Sequence, residues 1–347
     1  MKQPLSSFWK GGKRKYKEAD MRKRPELKDV IDQFFVVQQE MIPGKGEDSY
    51  LLEVKEKEAA AGVFDGCGGS GARTYEYFEN HTGAYIASRT LAYAAHCWFK
   101  EQYADPEKRK KDPAKELKRH LDQFLQNLMK SGGASRGLRG SIMKDFPSTL
   151  ALATVSARRG RAEIGCCWCG DSRGFVLDRE GLHQITRDDT LEPDAMKNLT
   201  ECAPMNNLVS ASAAYEIHRS SFLWKLPCVV LTATDGCFDM LESPMEFEKL
   251  LLRTLCHSQS TEQWKERLHQ ELKKTAADDY TMSVLIVGFG SFLSLRNCFQ
   301  DRLSYMMKEF PLSEKTSREE LWEQWNFYRE NYEKYQKESD GDADRRI

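Results

Sequence analysis

Four acidic stations stand where apolar runs begin or end. Residues 59–64 are apolar and lead into Asp65-Gly66-Cys67-Gly68-Gly69; residues 229–233 lead into Thr234-Asp235-Gly236. Asp278-Asp279 precedes the strand-like residues 281–289, and Glu47-Asp48 opens residues 49–54. An apolar run buries a strand, and a carboxylate at its end is delivered to the rim of a sheet. Glycines beside it let the backbone turn tightly and approach a ligand closely. A single Asp-Gly is also an ordinary turn; its recurrence after separate apolar runs is what points to a site. An unpaired buried charge is costly, so such groups pair or bind a cation. Few cations lie near in sequence: Lys45 by Glu47-Asp48 and Arg73 by Asp65. All-carboxylate sites with water suit Mg²⁺ or Mn²⁺ rather than Zn²⁺. Two such ions about 3.5–4 Å apart can bridge a water and clamp a phosphoryl group in line.

The elements that must carry these stations follow from periodicity. Residues 34–37, 49–54 and 59–64 read as three short strands, close enough in sequence for an antiparallel meander. After Gly71 the period becomes helical, with Tyr75, Phe78, Tyr85, Ala92, Ala95 and Phe99 on one stripe. Residues 104–112 form a charged loop, and Pro113 begins a helix to about Lys130 with Leu117, Leu121, Phe124, Leu125 and Leu128 on its apolar face. Residues 131–137 read as a flexible connector. Strands return at 148–156, 161–168, 174–177, 182–186, 215–223 and 228–234, with 187–214 a surface excursion. Helices at 243–256 and 261–274 precede the last strand at 281–289. Strand runs that each lead into paired helices predict an α+β fold, two sheets packed on each other with helices outside, rather than a parallel βαβ fold.

At 347 residues with a formal net charge of -1, 40% hydrophobic and 30% charged residues, the chain can bury a sizeable core and has no global signature of nucleic-acid or membrane binding. No apolar run reaches the length of a membrane span. Residues 1–30 are basic without the apolar segment of a secretory signal, and read as a solvated tail or an electrostatic docking arm. The ten cysteines resemble no secreted disulfide framework, so reduced thiols and a cytoplasmic location are expected. Cys166-Cys167-Trp168-Cys169 contains one C-x-x-C spacing and no second; strand alternation puts Cys167 and Cys169 on one face, as core residues. The seven histidines show no metal-ligand spacing. Residues 31–290 read as one domain, and 291–347 as a helical extension with a polar, disordered end. In that extension Leu321, Trp325, Tyr328, Tyr332 and Tyr335 form one helical face, which either packs on the domain or docks a partner helix.

Over roughly residues 33 to 290 these features resemble the metal-dependent protein phosphatases of type 2C, the PPM family, in a divergent bacterial-type form. Residues 63–69 resemble the family's Asp-Gly-His-Gly-Gly segment, and Glu47-Asp48 its first acidic pair. Ser148-Thr149 resembles its Ser/Thr-Thr strand start, Gly170-Asp171-Ser172-Arg173 its Gly-Asp-Ser-Arg turn, and residues 185–189 its Leu-Thr-x-Asp-His stretch, with Asp189 for the His. Residues 234–239 resemble Ser-Asp-Gly-Leu-Trp-Asp, and Asp278-Asp279-Tyr280-Thr281 resembles Asp-Asn-x-Thr. The resemblance implies a four-layer α-β-β-α sandwich of two antiparallel sheets flanked by helix pairs. It implies a serine/threonine protein phosphatase using two Mn²⁺ or Mg²⁺ ions, with a third, weaker one. Asp65 would bridge the two ions. Asp235 and Asp278 would complete the first shell. The Gly66 carbonyl and, through water, Glu47 would serve the second, Asp48 would support the acidic segment, and Asp171 with Asp235 would hold the third. A metal-bridging hydroxide would attack phosphoserine or phosphothreonine without a phosphoenzyme.

Two departures bear on activity. Cys67 stands where the family often has a His that donates a proton to the leaving alkoxide, and a thiol is a poor substitute. The family's phosphate-anchoring Arg would fall on Pro43, leaving Lys45 as the nearest cation, either a phosphate contact or a solvated loop lysine. The expected partners are a phosphoprotein substrate and a Ser/Thr kinase, with the chain a monomer. The rival expectation is a catalytically silent phosphatase-like module that binds phosphoprotein or regulates a kinase.

Overall fold

The structure is a computed structural model describing residues 30–105, 108–109, 112–132, 143–158, 160–192, 194–200, 204–312 and 316–339. The basic tail, most of the 131–137 connector and the extreme C-terminus lie outside these residues. In chain order the strands are β1 (Ile31–Gln39), β2 (Asp48–Val54), β3 (Glu58–Asp65), β4 (Thr74–Tyr75), β5 (His81–Thr82), β6 (Leu150–Arg158), β7 (Arg161–Cys169), β8 (Arg173–Asp178), β9 (Gly181–Gln184), β10 (His218–Lys225), β11 (Cys228–Ala233) and β12 (Tyr280–Val287). The helices are α1 (Gly68–Gly71), α2 (Gly83–Trp98), α3 (Pro113–Gly132), α4 (Ala195–Thr200), α5 (Pro244–Cys256), α6 (Thr261–Thr275), α7 (Phe292–Cys298), α8 (Gln300–Glu309), α9 (Arg318–Tyr332) and α10 (Lys334–Ser339).

Two five-stranded sheets, ordered β1-β12-β11-β8-β9 and β10-β7-β6-β3-β2, are antiparallel throughout. They pack face to face, with helices on the outer faces. Period-2 alternation sorts the side chains. Ala59 and Ala61 of β3 face the layer between the sheets with Val155, Cys166, Val230 and Leu285. Ala60 and Phe64 face outward to α2 and α3, among Leu91, Trp98, Leu117 and Leu121. Both faces being covered, β3 reads in sequence as an unbroken apolar run. The cysteine run obeys the same rule: Cys167 and Cys169 join the helix-facing core, and Cys166 lies between the sheets. Among the described residues no helix is long and apolar enough to cross a membrane.

Three expectations need correction. The first three strands are not one meander: β2 pairs with β3, but β1 pairs with β12 in the other sheet, Phe34 opposite Leu285. The reason is packing, since Phe35 of β1 meets Trp264 of α6 edge-on at 5.2 Å. The first long helix begins at Gly83, not near Tyr75. Glu79 and Asn80 take left-handed backbone conformations (φ 56° and 61°), and the Thr82 hydroxyl accepts from the Tyr85 amide to start the helix afresh. Tyr75 and Phe78 still pack into the same core, Tyr75 stacking on Phe146 at 4.6 Å, so their spacing reflected burial rather than a shared helix. The 187–214 excursion is not purely superficial, because it carries α4 and buries Met196, Leu208 and Val209.

The aromatic face after residue 291 turns inward. Trp325, Tyr328 and Tyr332 are at most 3% exposed and belong to one apolar cluster with Phe175, Phe247 and Leu251, while Leu321 packs at its edge. Tyr335 packs against Trp224 with ring centres 4.2 Å apart and the rings tilted by 43°. This face is therefore occupied, which overturns the partner-docking alternative for it. Glu248, fully buried on α5, is held by Arg302 Nε at 2.6 Å and by the Tyr328 hydroxyl at 2.6 Å. Truncating Trp325 to Ala leaves a cavity where these helices meet the sheet. The expected cost is about 3–5 kcal/mol of unfolding free energy in a urea titration followed by circular dichroism.

Candidate metal centre

The stations converge at one end of the sandwich. Strand register sets Asp48 at the start of β2 opposite Asp65 at the end of β3. From the other sheet, the Thr234 hydroxyl donates to Asp48 Oδ2 at 2.8 Å and accepts the Thr281 amide at 2.9 Å. One threonine thus ties the two sheets together at the site. Asp235 follows it and opens a single 3₁₀ turn, Asp235–Cys237. Asp171 sits in the turn between β7 and β8, after Gly170 at φ 97°. One oxygen from each of Asp65, Asp171 and Asp235 lies within 4.8 Å of the others.

Close backbone approach is built in at two glycines. A Cβ on Gly66 would fall 2.3 Å from the Ala84 carbonyl oxygen, and one on Gly236 would fall 2.0 Å from the Asp279 carbonyl oxygen. No other residue fits either position. Asp279 accepts from the amides of Met41 and Glu47, both at 2.7 Å, and so folds the loop after β1 against the start of β12. This holds Glu47 beside the cluster, where its carboxylate accepts a short hydrogen bond from Thr82. Asp278 is exposed at the rim, and its charge acts on Glu47, Asp65 and Asp235.

The electrostatics are those of crowded anions. Burial, then the charges of Asp235, Asp48 and Asp171, raise the Asp65 carboxyl well above its ordinary range. Burial and the Asp235 charge push Asp171 up to about 8. Burial pushes Asp48 to about 8 against the opposing hydrogen bonds from Thr234 and Thr281. Asp235 is raised by burial and Asp278, and Glu47 by burial and then Asp279 and Asp278, with Thr82 opposing. Asp171 Oδ1 is buried without a hydrogen-bond partner. An orphaned buried carboxylate oxygen among mutually repelling carboxylates fits a hard divalent cation, which supplies the missing charge and accepts oxygen ligands.

Other expected residues lie elsewhere or act differently. Lys45 is exposed, its amide bonded to the Ile42 carbonyl. Arg73 is 3.6 Å from Asp145 and sits over the Tyr75 ring, so it serves the α2 side of the domain. Asp189, in the family's His position, accepts from the Gly170 amide at 2.9 Å and from Asn207 at 2.7 Å and pairs with His218 at 2.9 Å. The Cys67 thiol is pushed well up by burial and by the charges of Asp65, Asp171 and Asp235, so it stays protonated near neutrality. Two residues outside the expected set matter. Asp239 has its carboxyl raised to about 8 by desolvation and then by Asp235; its place four residues after Asp235 was the available signal. Arg173 is buried and bonds the buried Asp188 through Nε and Nη2, the latter at 2.6 Å, which fixes the turn that presents Asp171. Only the tertiary structure reveals that pairing.

The family model described as Protein phosphatase 2C matches residues 45–273. A search of curated proteins gives no match. Among solved structures, the fold is similar to the Mycobacterium tuberculosis serine/threonine phosphatase PstP/Ppp, at 16% identity and a TM-score of 0.51, covering 75% of this chain and 99% of that one. It is similar to the serine/threonine phosphatase Stp1 from Staphylococcus aureus, at 15% identity and a TM-score of 0.52, covering 74% and 94%. It is also similar to PppA, described as a key regulatory component of T6SS in Pseudomonas aeruginosa, at 21% identity and a TM-score of 0.50, covering 74% and 99%.

The raised carboxyls set a pH dependence. A carboxyl whose folded-state value lies above its unfolded value of about 3.9 holds its proton longer when folded. Its stabilising contribution is complete below about pH 4 and is lost as pH rises towards about 8, the value for Asp48 and Asp171. Metal-free protein should therefore lose thermal stability at these sites between pH 5 and 8 (rough limits). Added Mn²⁺ should restore it, raising the melting temperature more at about pH 8 than at about pH 6, with proton release in calorimetry. A Mn²⁺ effect that does not grow with pH would contradict this electrostatic account.

Proposed function

This chain belongs to the protein phosphatase 2C family, and from that premise we propose that it is a divalent-metal-dependent hydrolase of phosphoserine and phosphothreonine in proteins. The observation that carries the reading is the convergence of Asp65, Asp171 and Asp235 from separate strand ends to within 4.8 Å, with Asp171 Oδ1 left without a hydrogen bond. Mn²⁺ or Mg²⁺ bound there supplies activation of water near neutral pH and neutralisation of phosphoryl charge. Asp65, with Asp235 and Asp278, would hold one ion. The Gly66 carbonyl and Glu47 would serve a second, and Asp171 with Asp235 a third, weaker one. Asp48 is a supporting residue, since its carboxylate is engaged by Thr234 beneath the cluster. Asp279 holds the 41–47 loop so that Glu47 faces the others.

What the residues lack also informs the reading. A neutral Cys67 thiol is neither a nucleophile nor an effective acid, so the leaving alkoxide takes its proton from solvent or another group. Lys45 is free to approach an incoming phosphate as a point charge from its exposed loop. The same two features favour the rival reading, a phosphatase-like module that binds phosphoprotein without turning it over. A cytoplasmic phosphoprotein substrate, an associated Ser/Thr kinase and a monomeric state complete the proposal.

The test is hydrolysis of a phosphothreonine peptide by the full chain with Mn²⁺, with chelator and with Asp278→Asn. The reading expects chelator to abolish turnover, Asp65→Asn or Asp235→Asn to lower kcat/KM by at least about a hundredfold, and Cys67→Ala to retain most activity. Negligible rates in every arm would favour the silent module. For Lys45→Ala, a raised KM with kcat kept would support the phosphate contact, and unchanged kinetics would dismiss it.

A further inference from the structure

Helix α9 is bonded to the start of α4, and α4 in turn to the partner of the Arg173 beside the Asp171 turn. Asp194 caps α4, accepting the amides of Met196 at 2.9 Å and Lys197 at 3.1 Å through Oδ1. The same carboxylate receives the indole N–H of fully buried Trp325 at 3.1 Å and the Arg329 guanidinium at 2.8 Å, both from α9. One turn along α4, the Asn198 amide donates to Asp188 Oδ2 at 2.9 Å and to the Thr190 hydroxyl at 3.1 Å. Asp188 is the buried partner of Arg173. The Gly170–Asp189 backbone is stitched in both directions, Gly170 N–H to the Asp189 carboxylate at 2.9 Å and Asp189 N–H to the Gly170 carbonyl at 3.0 Å. Tyr332, also on α9, is buried where the charges of Arg173 and Asp188 both reach its hydroxyl.

We propose that α9 is a clamp for the metal centre: Trp325 and Arg329 are positioning residues that, through Asp194, Asn198 and Asp188, hold Arg173 and the turn presenting Asp171. The inference rests on the metal-site reading above and goes beyond it by making the extension part of the site's support. The physical logic is that Asp171 must stay pressed against Asp65 and Asp235 despite their repulsion. A turn between two strands resists that push only if its back is held. Here the back is held by the Arg173–Asp188 pair, and Asp188 is in turn positioned by Gln184 at 2.9 Å and by Asn198, whose helix is fastened to α9. Each link is a hydrogen bond between groups with discrete positions, which is the kind of contiguous network that can carry coupling.

The experiment measures Mn²⁺ binding by calorimetry on the full chain, alongside thermal melting. Trp325→Phe removes the indole N–H from Asp194 together with the volume of one ring, a packing loss that the melting temperature reads separately, and Asn198→Ala cuts the link from α4 to Asp188. Tyr328→Phe is the control: Tyr328 shares α9 with Trp325, but its hydroxyl bonds Glu248 of α5 and so leads away from the Asp171 turn. The clamp expects both test variants to weaken Mn²⁺ binding by about threefold to tenfold. It expects the double variant to lose less than the product of the two, since they cut one path. Tyr328→Phe should lower the melting temperature while Mn²⁺ binding stays at the wild-type value. Equal Mn²⁺ binding in all the variants, or losses that simply track melting temperature in the control as well, would overturn the clamp. Wild-type protein that binds Mn²⁺ but hydrolyses no phosphopeptide would sink the phosphatase reading alone. Wild-type protein with no Mn²⁺ binding would sink both.

Discussion

Carboxylates forced together at the shared end of two sheets repel one another, and burial strengthens the repulsion by removing water. Everything around the site answers that constraint. Thr234 reaches from one sheet to Asp48 on the other, so the sheets cannot part at that end without breaking a buried hydrogen bond. Asp279 pins the loop that carries Glu47. Gly66 and Gly236 let backbone pass where a side chain would collide. The apolar layers behind these residues supply the stability that lets such an end exist at all, since a site poised for a cation is destabilising until the cation arrives.

The same constraint explains the polar architecture behind Asp171. Arg173 bonds Asp188 rather than a cluster carboxylate, which fixes the turn beside the cluster, while its charge opposes the repulsion felt by Asp171 and Asp235. A guanidinium aimed directly at Asp65 or Asp235 would have filled the cation's place. Asp189 likewise grips the Gly170 amide from behind. The C-terminal helices extend this scaffold. Their aromatic face closes the outer side of one sheet, and Asp194 joins that face to α4. An extension that reads in sequence as separable is, in its packing, another layer over β9 and α5.

Several features were legible because they depend on local pattern. Residues 59–64 had to be a doubly covered strand, and Pro113 a helix start, from composition and spacing alone. The helix starts read at 243 and 261 match α5 and α6, and the structure shows Ser243 and Ser260 capping them, each accepting the amide three residues on. Other features were hidden because they depend on pairing across the fold. Nothing near Phe34 shows that β1 belongs with β12, more than two hundred residues away (Phe34 opposite Leu285), while β2 and β3 lie in the other sheet. Tyr75 and Phe78 mimicked a helical stripe because a core can gather residues at helical spacing from a turn. Arg73 looked close to Asp65 in sequence, but its charge goes to Asp145.

The sequence by itself determined the chemistry on offer: carboxylates delivered at strand ends beside glycines, too many of one sign and too few cations to pair them, which is a request for a divalent ion. It also determined that Cys67, two residues after Asp65, would stand in the glycine turn in place of a stronger acid. Only the tertiary structure decided which carboxylates meet, bringing Asp171 to Asp65 and Asp235, and which basic residues are spent elsewhere. The physical reason is range. Strand period, helix caps and turn chemistry act over a few residues and are written locally. Repulsion, its relief by a cation, and contacts such as that of Asp194 with Trp325, 131 residues apart in the chain, are properties of distances that exist only once the sheets have closed.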